Sequence, residues 1–335
     1  MMNKPGIAVT MPKGKIFDTF FDKEIIKAVE SIGDVSWNET GRQYTPKELG
    51  EVLKNKQICI SGWGTPCFDE TVLQHAEKLR LVAHTGGSVR PYVTDFAYEK
   101  GIRACSGNKV FARSVAEGVI AYALAELRRI PCFSSEVKQG TWPRFFENRG
   151  LLDRSVGIVG YGMIAGYLVE MLSVFHTPIK VYSRHIGQEE LDRFSMTKAS
   201  LEEIFSTCDI VSLHSGMTPQ NYHLITEPLL DSMKDGAVLI NTARGAIIDE
   251  AALCRVLARK NISAVLDVYE QEPLPADSPL LKLENALLMP HMGGPTVDRR
   301  RAVTKAVIAD IRRFLNGEPL DCEISYEYAQ KMTTG

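Results

Sequence analysis

The chain reads as an α/β protein whose parallel sheets carry helices on both faces. Three observations predict this. Short β-rich runs alternate with helix-like segments from end to end. The runs are continuously apolar, as strands buried on both sides of a sheet require. One of them opens through glycines into an apolar helix, "SVGIVGYGMIAGYLVEML" from Ser155 to Leu172.

Taken in order, "QICIS" (Gln57–Ser61) reads as a strand, "DETVLQHAEKL" as a helix and "RLVAH" as the next strand. "RSVAEGVIAYALAELRRI" is a long helical run stopped by Pro131. "SVGIVG", the helix Met163–Ser173 and "PIKVYS" repeat the theme, followed by "CDIVSLH", "GAVLINT" and "SAVLDVY", with the helical "EAALCRVLARK" before the last. The final helix, "TVDRRRAVTKAVIADIRRFLNG", ends at Gly317, and a short tail follows. The glycine turn has about 150 residues before it with a βα pattern of their own, so two lobes are expected. The simplest arrangement inserts a nucleotide domain, residues 118–297, into a first domain made of residues 1–117 and 298–335.

A length of 335 residues suits two domains, and 44% hydrophobic with 24% charged residues suits packed cores. A net charge of -2 argues against a nucleic-acid binder. No run approaches the roughly 18 apolar residues of a membrane span, and the start has no apolar leader, so no signal peptide is expected. The seven cysteines form no CxxC pair. They read as buried or semi-buried thiols of a reducing cytoplasm, with no disulfide and no metal site. Cys59, Cys105 and Trp63 read as core or pocket wall.

Gly160-Tyr161-Gly162-Met163-Ile164-Ala165 fits G-x-G-x-x-G/A. The first glycine allows the tight turn, the second lets backbone N–H groups approach a pyrophosphate, and the third small residue lets helix and strand pack closely. The start of the helix, at Met163 and Ile164, offers unpaired N–H groups to phosphate. About 20 residues on, an NAD site places a carboxylate on the adenosine ribose. This chain has Ser183, Arg184 and His185 there. A hydroxyl and a guanidinium favour a 2′-phosphate, and one charge-assisted bond of about 1.5–3 kcal/mol is a preference of roughly 10- to 150-fold. The expected cofactor is therefore NADP(H), with NAD(H) possible.

Three later segments concentrate polar chemistry just past apolar runs. "INTARGAIIDEAAL" places Arg244 after a strand, "LDVYEQEPLP" places Asp267 in a strand and Glu272 past its end, and "LLMPHMGGPT" places His291 in a turn. In an open parallel sheet, loops at the carboxyl ends of strands line the ligand crevice.

"GIVGYGMIA", "LHSGMTPQNYHLI", "LINTARGAIIDEAAL", "LDVYEQEPL" and "PHMGGPT" resemble, in order and spacing, the successive signatures of the D-isomer-specific 2-hydroxyacid dehydrogenases. The resemblance runs from about residue 80 to 317. It implies a Rossmann-type domain inserted into a flavodoxin-like substrate domain, and an oxidoreductase with Arg244, Glu272 and His291 at its active site. Arg244 would hold and polarise a 2-oxo acid, His291 would exchange the proton, and Glu272 would orient His291 and favour its protonated form. Asp267 would hold the nicotinamide carboxamide. His214, Thr218, Thr242 and Ala243 would line the cofactor, with His223 nearby, and Glu117 would be structural. "HTGGSVR" matches the family loop that takes the substrate carboxylate, so Gly86, Gly87 and Ser88 are candidates for an anion-binding nest. Two departures stand out: Gly216 where the family has proline, and "ACSGNKVFA" where it has an "NTPG"-like loop.

The expected reaction moves a hydride between NADP(H) and a small D-2-hydroxy or 2-oxo acid, with glyoxylate or hydroxypyruvate leading. The alternatives are a dinucleotide-responsive scaffold and an NAD-linked dehydrogenase of phosphoglycerate or formate type. The resemblance also implies a homodimer through the helix near 112–130.

Overall fold

The computed structural model describes residues 4–332. The chain divides into two compact units, residues 1–111 with 295–335, and residues 112–294.

The first unit is built on β1 (Gly6–Pro12), β2 (Asp34–Asn38), β3 (Ile58–Ser61), β4 (Leu81–His84) and β5 (Arg103–Ser106). They form one sheet in the order β2-β1-β3-β4-β5, with parallel pairing throughout. Relabelled from its own first strand this is 2-1-3-4-5, the flavodoxin-like doubly wound order. β3 and β4 are buried at every position, so their apolar runs show no alternation. The helix Pro46–Leu53 starts on a full capping box, Thr45 with Glu48, and has proline in its first turn. The helix Arg300–Leu315 returns to this unit and buries Val303, Val307 and Ile311, spaced at helical period, against β1, β3 and β4 residues.

The second unit carries β6 (Val156–Val159), β7 (Ile179–Tyr182), β8 (Thr197–Lys198), β9 (Ile210–Leu213), β10 (Val238–Asn241), β11 (Ser263–Leu266) and β12 (Ala286–Leu288). Its sheet is parallel with the order β12-β11-β10-β9-β6-β7-β8. Read from β8 this is 3-2-1-4-5-6-7, a Rossmann-type order with one added strand. The strand order reverses between β6 and β9, the place where such sheets open a crevice beyond their carboxyl ends.

Four expectations need correction. The segment after Asp69 is helical only over Glu70–Leu73; it then closes tight turns, Ala76 N–H to Leu73 O and Leu79 N–H to Ala76 O, because its buried side chains cluster at Val72, Leu73, Ala76 and Leu79. Pro131 does not simply stop the long helix. That helix spans Asn108–Leu127, Arg129 takes φ 51°, and Pro131 opens a second helix, Ile130–Lys138, in whose first turn a missing N–H costs nothing. The residues after Gly317 are more than a tail. Buried Asp310 accepts the N–H groups of Asp321 and Cys322 at 2.8 Å each, Ile324 N–H donates to Ala104 O at 2.8 Å, and Ala329 is fully buried. Not every cysteine is shielded either: all seven are free thiols and Cys67 is exposed. Cys59 and Cys105 are in the core, whereas Trp63 is 40% exposed.

Candidate active site

Six strands of the second unit lead into the residues that the sequence singled out. β6 ends at Val159 and turns through Gly160, whose φ is 89°. A Cβ there would sit 2.6 Å from Ser215 N, so both the dihedral and the space demand glycine. Around Gly162 a Cβ would meet nothing within 4 Å, so the turn opens outward there. The helix Met163–Leu172 follows without a side-chain cap and without an acidic residue in its first turn. Its first N–H groups therefore have no capping side chain, and no acidic side chain of the first turn offsets the partial positive charge of the helix start. Ala165 is fully buried, which gives the close helix–strand packing that the third small position serves.

Across the switch point, His214 N–H donates to Val159 O at 2.7 Å. His214 Nε2 pairs with Ser212 Oγ at 2.8 Å, and burial pulls its pKa down to about 4, so the ring is neutral. Its Nδ1 is buried without a partner, as are Thr218 Oγ1 and Thr242 Oγ1. Buried polar atoms are nearly always paired in complete structures. Three orphaned polar atoms past β9 and β10, together with the open glycine turn and the uncapped helix after β6, are what a dinucleotide's polar groups would satisfy, so these residues fit that cofactor.

Ser183 is buried past β7, its Oγ accepting His185 N–H at 3.2 Å, while Arg184 is exposed. Ala243 and Arg244 follow β10; Asn241 fixes this turn, its Nδ2 donating to Arg244 O at 2.9 Å and its Oδ1 accepting Ala243 N–H at 3.0 Å. Arg244 is half-buried and its guanidinium donates to Ala243 O at 2.7 Å. Burial pulls its pKa down from the usual value, and the charge of Glu272 opposes that shift.

His291 follows β12 with φ 52°. Its Nδ1 donates to Glu272 Oε2 at 2.6 Å, which leaves Nε2 directed elsewhere. Glu272 Oε1 accepts Tyr269 N–H at 3.1 Å. Asp267 lies one residue past β11 rather than within the strand, and it is 2% exposed. It accepts the N–H groups of Met292 and Gly293 at 2.8 Å each and the hydroxyl of Tyr122 at 3.3 Å. A Cβ on Gly293 would press to 2.7 Å from Asp267 Oδ2. His223, the rival histidine, pairs instead with Glu270 at 2.7 Å and stacks on Tyr222.

In the first unit, Gly86, Gly87 and Ser88 follow β4. Buried His84 lies beneath them: a Cβ on Gly86 would fall 2.2 Å from its Nε2. His84 Nδ1 pairs with Ser61 Oγ at 3.0 Å, its ring lies against Tyr92, and burial lowers its pKa to about 3. Ser88 Oγ accepts Arg90 N–H at 3.3 Å. Among the described residues, no group of three or more His, Cys, Asp or Glu side chains is arranged to hold a metal ion. No helix among them is long and apolar enough to cross a membrane.

Residues 120–293 match the family model described as D-isomer specific 2-hydroxyacid dehydrogenase, NAD binding domain. The chain belongs to the D-isomer specific 2-hydroxyacid dehydrogenase family. Within it, the chain is 33% identical to glyoxylate reductase of Korarchaeum cryptofilum over 81% of its own length and 83% of that protein. It is 32% identical to D-3-phosphoglycerate dehydrogenase of Methanocaldococcus jannaschii over 88% of its length, and it spans 56% of that protein. The chain thus spans about half the length of the phosphoglycerate dehydrogenases that it matches. The crystal structure of the TT0316 protein from Thermus thermophilus superposes with a TM-score of 0.77 at 27% identity, covering 96% of this chain and all of that one. That structure shares the fold over nearly the whole chain, both parallel sheets included.

Sequence reasoning missed Tyr122 and His84. Tyr122 carries no motif, and His84, though it opens the "HTGGSVR" stretch, reads as the end of an apolar strand; each meets its partner only through tertiary packing.

Proposed function

We propose that the protein is an NADP(H)-linked reductase of a small 2-oxo acid, giving the D-2-hydroxy acid, with glyoxylate or hydroxypyruvate as substrate. The observation that carries this reading is the 2.6 Å pair of His291 and Glu272 at the carboxyl end of a Rossmann-type sheet. Glu272 accepts from Nδ1 and fixes the ring, so His291 Nε2 is the atom that gives a proton to the carbonyl oxygen in reduction and takes it back in oxidation. Arg244 holds the substrate's carboxylate or carbonyl with planar donors and draws charge onto the oxygen. Gly86, Gly87 and Ser88 supply backbone N–H groups to the substrate carboxylate. The bound dinucleotide would supply the hydride, and Gly160, Gly162, Met163, Ile164, His214, Thr218, Thr242 and Ala243 would hold it. Ser183 and exposed Arg184 favour the 2′-phosphate. Residues 118–297 are proposed as the nucleotide domain and residues 1–117 with 298–335 as the substrate domain, bounds that fall a few residues from those of the compact units 112–294 and 1–111 with 295–335.

The same reading includes a homodimer through the helix Asn108–Leu127 and its continuation. Trp142, Phe145 and Phe146 are 79%, 90% and 61% exposed, a concentration of aromatic surface that suits a second copy. Free cysteines fit a reducing compartment such as the cytoplasm.

The test follows absorbance at the reduced-nicotinamide band with a panel of 2-oxo acids, including 3-phosphohydroxypyruvate, using NADPH and NADH in parallel. Turnover of a small 2-oxo acid with NADPH preferred supports the reading. A clear NADH preference removes the cofactor assignment, and no turnover with any 2-oxo acid removes the reaction.

A further inference from the structure

We infer that Tyr122 is a positioning residue for His291, acting through Asp267. His291 holds a left-handed φ of 52°, a conformation that non-glycine residues keep only when their neighbours impose it. Upstream, Met289 is fixed on both sides: its N–H donates to Leu266 O at 2.8 Å, and its carbonyl accepts the Tyr269 hydroxyl at 2.8 Å. Downstream, the N–H groups of Met292 and Gly293 both end on Asp267, one on each carboxylate oxygen. The backbone on either side of His291 is thereby clamped, and the ring has one orientation in which Nδ1 meets Glu272.

The downstream clamp is only as fixed as Asp267 itself. The two N–H groups already hold the Asp267 carboxylate by both oxygens, and a third contact narrows its rotamer further. Tyr122 provides that contact from the helix Asn108–Leu127, its hydroxyl lying 3.3 Å from Asp267 Oδ1. Burial first, and then the Asp267 charge, push the phenol's pKa up, so the proton stays on tyrosine and the hydroxyl is the donor. The ring is 9% exposed and packs among Val119, Ala123 and Leu127. One turn earlier on the same helix face, Gly118 lies against the loop directly, a Cβ there falling 3.6 Å from Gly293 O. The helix therefore approaches the His291 loop directly at Gly118, and four residues on it reaches the same loop indirectly, through the Tyr122 hydrogen bond to Asp267.

The test is backbone amide hydrogen exchange on the full chain. Tyr122→Phe keeps the ring and removes the hydroxyl; Tyr122→Met is a second loss of the same group in an apolar core. Exchange at Met292 and Gly293 is expected to rise by about fivefold or more, the scale of one lost hydrogen bond. The amides of residues 115–127 should keep their protection. Asp267→Asn should raise the same two amides further. Unchanged exchange at Met292 and Gly293, or a rise spread equally over the helix, overturns the inference.

The kinetic arm rests on the proposed role of His291. There kcat should fall by roughly 3- to 10-fold in Tyr122→Phe, modest because the bond is long, while KM for the dinucleotide stays within about twofold. In a His291→Ala background the Tyr122→Phe factor should shrink to about one, since the two act in series. A full Tyr122→Phe factor persisting in that background overturns the link to His291. If the wild type reduces no 2-oxo acid at all, the proposed function fails, and the exchange result still decides the anchor.

Discussion

Glu272 divides its carboxylate between His291 and the backbone of its own loop: Oε2 receives His291 Nδ1 at 2.6 Å, and Oε1 receives Tyr269 N–H at 3.1 Å. Both oxygens of the carboxylate are engaged, so the imidazole is held by a group that is itself held. His291→Ala is expected to lower kcat by roughly 10²–10⁴-fold. Glu272→Gln, which keeps the shape and removes the charge, should cost less than His291→Ala and should alter the pH profile of kcat. Steady-state kinetics of the two variants settle the order. A His291→Ala enzyme with near-wild-type turnover would refute the proton-transfer role.

Arg184 is solvent-exposed beyond β7, so replacing it leaves the fold alone. Arg184→Ala should weaken NADPH binding by roughly 10- to 150-fold and leave NADH binding nearly unchanged, the difference being one charge-assisted bond to the 2′-phosphate. Fluorescence titration with each dinucleotide measures it directly. Equal losses for both would place Arg184 away from the 2′ position.

Two buried histidines make stability depend on pH. His84 and His214 have pKa values pulled down by burial to about 3 and about 4. In the unfolded chain they titrate near 6.5. Below about pH 6.5 the unfolded state binds protons that the folded state refuses, so stability is full above that pH and is lost as pH falls toward the folded values. The loss is about 1.4 kcal/mol per pH unit for each group. Urea unfolding at pH 7 and pH 5 should show it, and His84→Phe, which can still stack on Tyr92, should flatten the slope by about one proton. Parallel curves for variant and wild type would mean that His84 titrates alike in both states.

Phe145 projects 90% of its surface into solvent, with Trp142 at 79% nearby in the chain. If these rings meet a second copy, Phe145→Glu should place an unpaired charge in a desolvated contact and shift the assembly toward monomer. Light scattering on the eluting peak reads the mass. An unchanged dimer would locate the interface elsewhere, and a monomeric wild type would remove the dimer altogether.

The parts legible in the sequence are those fixed locally. Gly160 and Ala165 sit at set positions around a strand end, and Glu272 and His291 each follow an apolar run, so their place at the carboxyl edge of a parallel sheet follows from the pattern. Tyr122 was not legible because its partner is 145 residues away and its neighbours in the helix are apolar, which makes it read as core. Asp267 reads as a strand residue because the apolar run flows through it; the strand ends at Leu266, and the carboxylate serves the 292–293 backbone, a link between loops that no local pattern shows. The helix expected after Asp69 is short because one apolar cluster needs covering there, and turns cover it.

Asp310 bears on how the chain matures. It is 1% exposed on the last long helix and gathers the N–H groups of Asp321 and Cys322, so that Ile324 can join Ala104 at the rim of the five-stranded sheet. Residues 112–294 are contiguous, whereas the unit they interrupt is made of two separated pieces. During translation the ribosome therefore releases the entire nucleotide half while the other half still lacks the stretch that closes its border strand. A nascent chain halted near Gly317 would carry a complete second unit and a first-unit sheet whose edge strand still lacks its partner at Ile324.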